Sequence, residues 1–281
     1  MRFTKMEGLG NDYIYLNCLE ETPEDLPGLA VRLSDRHFGV GADGIICVMP
    51  GRGGDFTMEM YNADGSRGAM CGNGVRCVGK YVCDKGLTRK TCLTIDTDAG
   101  PRTLELHILD GSVDRVTVDM GLVRVETPVA LEAMGETFQV VPASAGNPHG
   151  VIFCPDPEDI PLERLGPILE RHPALGERRN IEFVSCIDQK TLRVRVWERG
   201  SGVTLACGTG ACAAFAAAWT QGRCDSRAEV RLPGGGLILE RRGENVFMTG
   251  PARTVFEGEI PDPPKSALDN LRGYLYDIES L

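Results

Sequence analysis

Gly68-Ala69-Met70-Cys71-Gly72-Asn73-Gly74-Val75-Arg76-Cys77 and Thr204-Leu205-Ala206-Cys207-Gly208-Thr209-Gly210-Ala211-Cys212-Ala213 are two versions of one Cys-Gly-x-Gly block. Their leading cysteines lie 136 positions apart (71 to 207). The same interval carries Gly86 onto Gly222, Gly10-Asn11 onto Gly146-Asn147, Ile45 and Val48 onto Ile181 and Val184, and Asn62 onto Glu198. One fixed offset that matches thiols, Gly-Asn pairs and helix-ending glycines argues for an internal duplication, and its period is domain-sized rather than that of a solenoid.

A chain of 281 residues has room for two medium domains, each with its own core. The repeat predicts a first unit over 1–121 carrying Cys71 and a second over 122–262 carrying Cys207. A break near Met120-Gly121 resembles Thr249-Gly250. A tail over 263–281, after Pro261-Asp262-Pro263-Pro264, lies outside the repeat and is expected to pack on the first unit or at a dimer contact. The net charge of −10, with no Lys/Arg run, disfavours a nucleic-acid or anionic-membrane surface as partner, and neither is expected. Met1-Arg2-Phe3-Thr4-Lys5 leads into mixed polar sequence rather than a signal segment, so a cytoplasmic location is expected. Eleven cysteines in such a compartment are thiols, most of them small buried hydrophobes. Cys71, Cys77 and Cys83 are six apart, a spacing unlike that of zinc ligands, and no metal is expected.

Period-two alternation predicts strands over 13–18, 45–49, 56–61, 91–96, 103–108, 113–119, 192–197, 228–232 and 237–241. The turn clusters 98–101 and 234–236 fall at equivalent places in the two halves. Helices are expected over 26–36, 74–85, 162–172 and 210–221. The segment 211–219 is apolar on every face yet only about three turns long, so protein must surround it. The expected fold is α/β of the strand-rich α+β kind. It has two pseudo-symmetric domains, each with a curved or barrel-like set of strands around a central helix, and an active site in the cleft between them.

A helix N-terminus offers backbone N–H groups and partial positive charge, and flanking glycines let a carboxylate or phosphate approach. The same field is expected to lower the pKa of a thiol in that turn from its ordinary ~8.5. Two such turns facing one cleft would place a sulfur on each side of a substrate. That suits removal of a proton from one face of an α-carbon by a thiolate and its return to the other face by a thiol. Cys77, Cys83 and Cys212 are read as packing residues, since only Cys71 and Cys207 carry the repeated glycines and the central helix.

Further segments belong with these blocks: Gly8-Leu9-Gly10-Asn11-Asp12-Tyr13, Gly39-Val40-Gly41-Ala42-Asp43-Gly44 and Tyr61-Asn62-Ala63-Asp64-Gly65-Ser66 in the first half, and Gly146-Asn147-Pro148-His149, Asn180-Ile181-Glu182-Phe183-Val184 and Trp197-Glu198-Arg199-Gly200 in the second. Together they resemble the diaminopimelate epimerase family from about Phe3 to Glu259. The resemblance implies a cofactor-independent isomerase of lysine and peptidoglycan precursor synthesis, a homodimer, a small amino-acid substrate and no pyridoxal phosphate. It implies Cys71 and Cys207 as the acid/base pair, with His149 and Glu198 supporting activity. Gly72, Asn73, Gly208 and Thr209 would hold the carboxylate at the reacting carbon, and Asn11, Asn62, Asn147, Asn180, Glu198 and Arg199 would complete the substrate contacts. Gly44 stands where some members carry Gln and is left out of the expected site. The residue types suit a substrate with two amino-acid ends: Arg199 for a distant carboxylate, Glu198 for an ammonium, and amides to orient a zwitterion.

Three rivals are weighed against this reading. Residues 39–44 fit a dinucleotide-binding G-x-G-x-x-G, but Ile45-Ile46-Cys47-Val48 reads as a strand where that motif needs a helix. A thiol redox or metal-binding protein is suggested by the cysteine count alone. A proline racemase type of the same architecture is nearer, but the asparagines and Glu198-Arg199 favour a substrate with a second amino-acid end.

Overall fold

The protein is described from a computed structural model covering residues 1–260; the expected tail, 263–281, lies outside the described residues. The first half runs β1 (Arg2–Gly8), β2 (Asn11–Asn17), α1 (Leu26–Ser34), β3 (Gly44–Pro50), β4 (Phe56–Asn62), β5 (Arg67–Gly68), α2 (Gly72–Asp84), β6 (Cys92–Asp96), β7 (Arg102–Leu109) and β8 (Ser112–Leu122). Then follow β9 (Arg124–Val125), β10 (Val129–Ala133), β11 (Glu136–Ser144), β12 (Pro148–Phe153), α3 (Leu162–Glu170), β13 (Asn180–Asp188), β14 (Thr191–Glu198), β15 (Gly202–Val203), α4 (Gly208–Thr220), β16 (Arg227–Leu232), β17 (Gly235–Arg242), β18 (Asn245–Pro251) and β19 (Arg253–Glu259). Every strand and helix expected from the sequence is present within a few residues. Residues 44–50 after the glycine-rich segment are a strand, as expected.

The repeat is visible in the pairing register. In the first half β2 runs parallel to β3 with Ile14 beside Ile45, and β4 runs antiparallel with Tyr61 opposite Ile45. In the second, β12 runs parallel to β13 with Gly150 beside Ile181, and β14 places Trp197 opposite Ile181. Each pair is carried onto its mate by the same 136-residue step. β8 and β18, which occupy equivalent places in the two halves, pair antiparallel with each other, as a local twofold requires (Thr117 opposite Thr249). The last strand, β19, returns to pair with β1. The boundary expected at 121 falls at the end of β8.

Alternation along the strands sorts two layers of helix. Ile46 and Val48 of β3 face the core that holds α2 and α4, whereas Ile45 and Cys47 pack on Leu26, Leu29 and Leu33 of α1. In the second half Val184 faces the inner core, whereas Ile181 and Phe183 pack on Leu162, Leu165 and Leu169 of α3. Strands covered on both faces read as continuous apolar runs, which explains Ile45-Ile46-Cys47-Val48. The inner helices are encased: α2 is buried from Gly72 to Val82 and α4 from Ala211 to Ala218. Both begin two residues before the expected start, because the block cysteine is itself the N-cap. Strands 2–8, 129–133, 136–144, 148–153, 180–188, 245–251 and 253–259, and the two-residue β5, β9 and β15, were not expected. In 136–144 and 148–153, Pro142, Pro148 and Gly150 interrupt the alternation that marks a strand.

Phe215 lies on α4 with 1 % of its surface exposed. Phe215→Ala should lower stability by about 3–5 kcal/mol, read as a reduced urea midpoint with an unchanged far-ultraviolet spectrum.

Candidate active site

Cys71 and Cys207 cap α2 and α4 with nearly the same backbone, φ −127° and ψ 120° against φ −121° and ψ 111°. Each sulfur accepts the N–H two residues beyond its first glycine: Gly74 donates to Cys71 Sγ at 3.3 Å and Gly210 to Cys207 Sγ at 3.4 Å. The N–H groups of Gly72, Asn73, Gly208 and Thr209 belong to the first turns, where a helix supplies no internal partner. The two turns abut. A β-carbon placed on Gly72 would lie 3.9 Å from the α-carbon of Gly208, and one on Gly208 would lie 3.7 Å from that of Gly72. Met248 packs against both positions, 3.1 Å from the first β-carbon and 3.3 Å from the second, so a side chain at either would press on Met248.

Around Cys71, the thiol donates to Asn11 Oδ1 at 3.1 Å, and the Asn11 amide donates to Asp43 Oδ2 at 2.7 Å. Asn73 is buried, and its Oδ1 accepts from Arg76 at 3.0 Å. Around Cys207, which is 6 % exposed, Thr209 Oγ1 lies 3.5 Å from the sulfur and Asn180 Nδ2 approaches it at 3.9 Å. Asn180 Oδ1 in turn accepts the Arg199 N–H at 2.9 Å. The Arg199 guanidinium is exposed and donates to the Arg178 carbonyl. Asn62 ends β4 as Glu198 ends β14; its amide bonds Ser66 in the adjoining turn. Glu198 Oε1 accepts from Thr204 at 2.5 Å.

His149 is fully buried on β12, with Nδ1 2.7 Å from Glu182 Oε1 and Nε2 3.0 Å from Asn147 Oδ1. Both ring nitrogens are engaged, so His149 orients Asn147 and has no hydrogen bond to either sulfur. Asn11, Asn73, Asn180 and, through Glu182, His149 are thus linked to the two turns, whereas the Asn62 amide bonds Ser66 and the Arg199 guanidinium the Arg178 carbonyl.

The thiols differ from the expectation. Burial pushes both upward, Cys207 well above the ordinary thiol range, and outweighs the lowering by Gly74, Asn73 and Arg76 at Cys71 and by Thr209 and Gly210 at Cys207. The helix-end field is present, but it acts on groups removed from water, where an uncompensated thiolate is costly. Glu198 is also raised, first by burial and then by Glu182, against its bonds from Thr204 and Cys207.

Four participants were missed. Asp43 fixes Asn11, Thr204 fixes Glu198, Glu182 fixes His149 and Arg76 fixes Asn73. Two of these left a trace in the sequence. Glu182 interrupts the apolar run Ile181 to Val184 on a strand buried along that run, and Arg76 is a cation on a helix that has no exposed face.

Solved structures share this architecture at low sequence identity. A phenazine biosynthesis protein from Bacillus anthracis superimposes with a TM-score of 0.73 at 18 % identity, over 93 % of this chain and 99 % of its own. A probable proline racemase from Agrobacterium radiobacter K84 does so with a TM-score of 0.71 at 15 % identity, over 94 % of each chain. At that identity the likeness shows the fold alone. A curated relative from Acetivibrio thermocellus, named diaminopimelate epimerase, is 50 % identical over 275 residues, covering 92 % of this chain and 98 % of its own. The family model for diaminopimelate epimerase matches residues 3–126 and 141–255, which include both cysteine blocks and every residue placed around them. On that match and that identity, the chain belongs to the diaminopimelate epimerase family.

Proposed function

We propose that the protein is a cofactor-independent isomerase that interconverts LL- and meso-2,6-diaminopimelate, a step of lysine and peptidoglycan precursor synthesis. The observation that carries this is the pair of thiols capping two helices whose N-termini abut. One sulfur, as thiolate, takes the α-proton, and the electron pair of that C–H bond passes into the adjoining carboxylate. The opposite thiol gives its proton to the other face of the carbon. The products are the inverted centre, a thiol where the base was and a thiolate where the acid was, so the reverse reaction uses the same groups in exchanged roles.

The carboxylate gains charge as the carbon is deprotonated. The N–H groups of Gly72, Asn73, Gly208 and Thr209 are aimed at that charge by the two helices. In this reading Asn11, Asn62, Asn147 and Asn180 orient the zwitterionic ends, with His149 holding Asn147 in place. Glu198 receives an ammonium, and Arg199 on the rim binds the distant carboxylate. The active unit is a cytoplasmic homodimer, each protomer built from units 1–121 and 122–262. Among the described residues no helix is long and apolar enough to cross a membrane.

Reduced protein without added pyridoxal phosphate or metal should exchange solvent deuterium into the α-position of LL-diaminopimelate and yield the meso isomer. Absence of both from folded, reduced protein refutes the assignment. Cys71→Ala and Cys207→Ala should each abolish epimerisation, and near-normal turnover in either would refute the two-base mechanism. Arg199→Met should raise KM roughly 10- to 100-fold, the worth of one charge-assisted contact, while kcat changes far less.

A further inference from the structure

Arg76 is the largest fully buried side chain in the described protein, at 0 % exposure. Its guanidinium has no carboxylate partner among the described residues. Nε donates to the Pro251 carbonyl at 3.2 Å, Nη1 to the Gly72 carbonyl at 3.2 Å and toward Met248 Sδ at 3.9 Å, and Nη2 to Asn73 Oδ1 at 3.0 Å. The space is shaped for it. A β-carbon on Gly8 of β1 would sit 3.2 Å from Nη2, and one on Gly250 of β18 would sit 3.1 Å from Nε. A buried guanidinium that meets only neutral acceptors costs stability, so its retention calls for a negative charge that arrives during function.

The repeat shows where that charge falls. The 136-residue step carries Arg76 onto Cys212, which is buried in α4 and bears no charge. The α2 turn is therefore backed by a fixed cation and the α4 turn is not. Carboxylates crowd the other side: an atom added at Gly210 would be 2.6 Å from Glu182 Oε1 and 3.3 Å from Cys207 Sγ. Glu198 lies near enough to act on both thiols, and it heads the charged groups that oppose a thiolate at Cys207.

We propose that Arg76 is a positioning residue that holds Asn73 and Gly72 in the anion-binding turn and draws negative charge to Cys71 rather than Cys207, so that Cys71 is the base in the resting protein. The duplicated thiols are unequal by construction. The groups facing Cys71 are Arg76 and Cys77 from its own helix, Tyr13 and Tyr15 of β2, Asp43 behind Asn11, and Glu198 at the end of β14. Those facing Cys207 are Glu198 and Glu182, the latter paired with His149. Arg76 is the one arginine or lysine in that set, and it acts on Cys71. The assignment rests on the two-thiol reading of the site, but its test needs no substrate.

The experiment is alkylation of substrate-free, reduced protein by iodoacetamide across pH, with Cys71 and Cys207 followed separately by peptide mass spectrometry. In the unmodified protein Cys71 should label with the lower pH midpoint. Arg76→Met should raise the Cys71 midpoint by about one pH unit or more and move that of Cys207 much less, whereas Arg76→Lys should restore part of the difference. A folded Arg76→Met protein with an unchanged Cys71 midpoint overturns the proposal. If that variant does not fold, the unmodified protein still decides: a Cys71 midpoint equal to or above that of Cys207 overturns it. Loss of epimerisation with the labelling order intact would strike the proposed reaction and leave the role of Arg76 standing.

Discussion

Two helices meet end to end at Gly72 and Gly208, so two positive dipole ends share one small volume. Most of the architecture follows from keeping them there. A helix aimed at the centre of a protein must be covered along its whole length, which is why α4 is apolar all round and why strands enclose both helices. The ends approach this closely with glycine as the first residue of each helix, where a β-carbon would press on Met248. Antiparallel pairing of β8 with β18 ties the halves together beside that contact, since Met248 of β18 touches both glycines. Without an anion between them the ends oppose each other, and a bound carboxylate relieves that opposition.

Duplication accounts for what is symmetric and divergence for what is not. The N-cap geometry, the glycines, the outer helices α1 and α3 and the strand register all repeat. At the polar positions the copies part: Asn62 faces a mate in Glu198, Asn73 in Thr209, and Arg76 in Cys212. Asn11 and Asn147 share a position but not a task, one accepting from Cys71 and the other engaged with His149. Inversion at a carbon asks for similar groups on its two faces, whereas recognition of the rest of a substrate asks for dissimilar ones. In the proposed reaction the scaffold answers the first demand and the substitutions answer the second.

Much of this was legible in the residues. Equal spacing of the Cys-Gly-x-Gly blocks located both helices and both sulfurs, because a cap must adjoin the helix that it caps. The strands 136–144 and 148–153 were obscured by Pro142, Pro148 and Gly150, whose places are decided by neighbours distant in sequence. Asp43, Glu182 and Thr204 escaped notice for a related reason: each acts by holding another side chain, a relation that exists only once the strands are paired. The direction of the thiol pKa was misjudged because the helix field can be inferred from a motif, whereas the extent of desolvation depends on everything packed around it.

The upward displacement of both thiols bears on where the catalytic power resides. A more basic thiolate narrows the gap to a carbon acid by about 1.4 kcal/mol per pKa unit, but at neutral pH its population falls by the same factor. Burial of the sulfur alone therefore gains little. The gain must come from interactions that are weak in the ground state and strong once charge has moved onto the carboxylate. In the proposed reaction, backbone N–H groups at two converging helix ends meet that condition: they are held in place beforehand, and their field acts most strongly on the form that carries the extra charge. Burial then has a different task, excluding the water that would otherwise screen those dipoles. The two effects that oppose each other at the sulfur act together at the substrate.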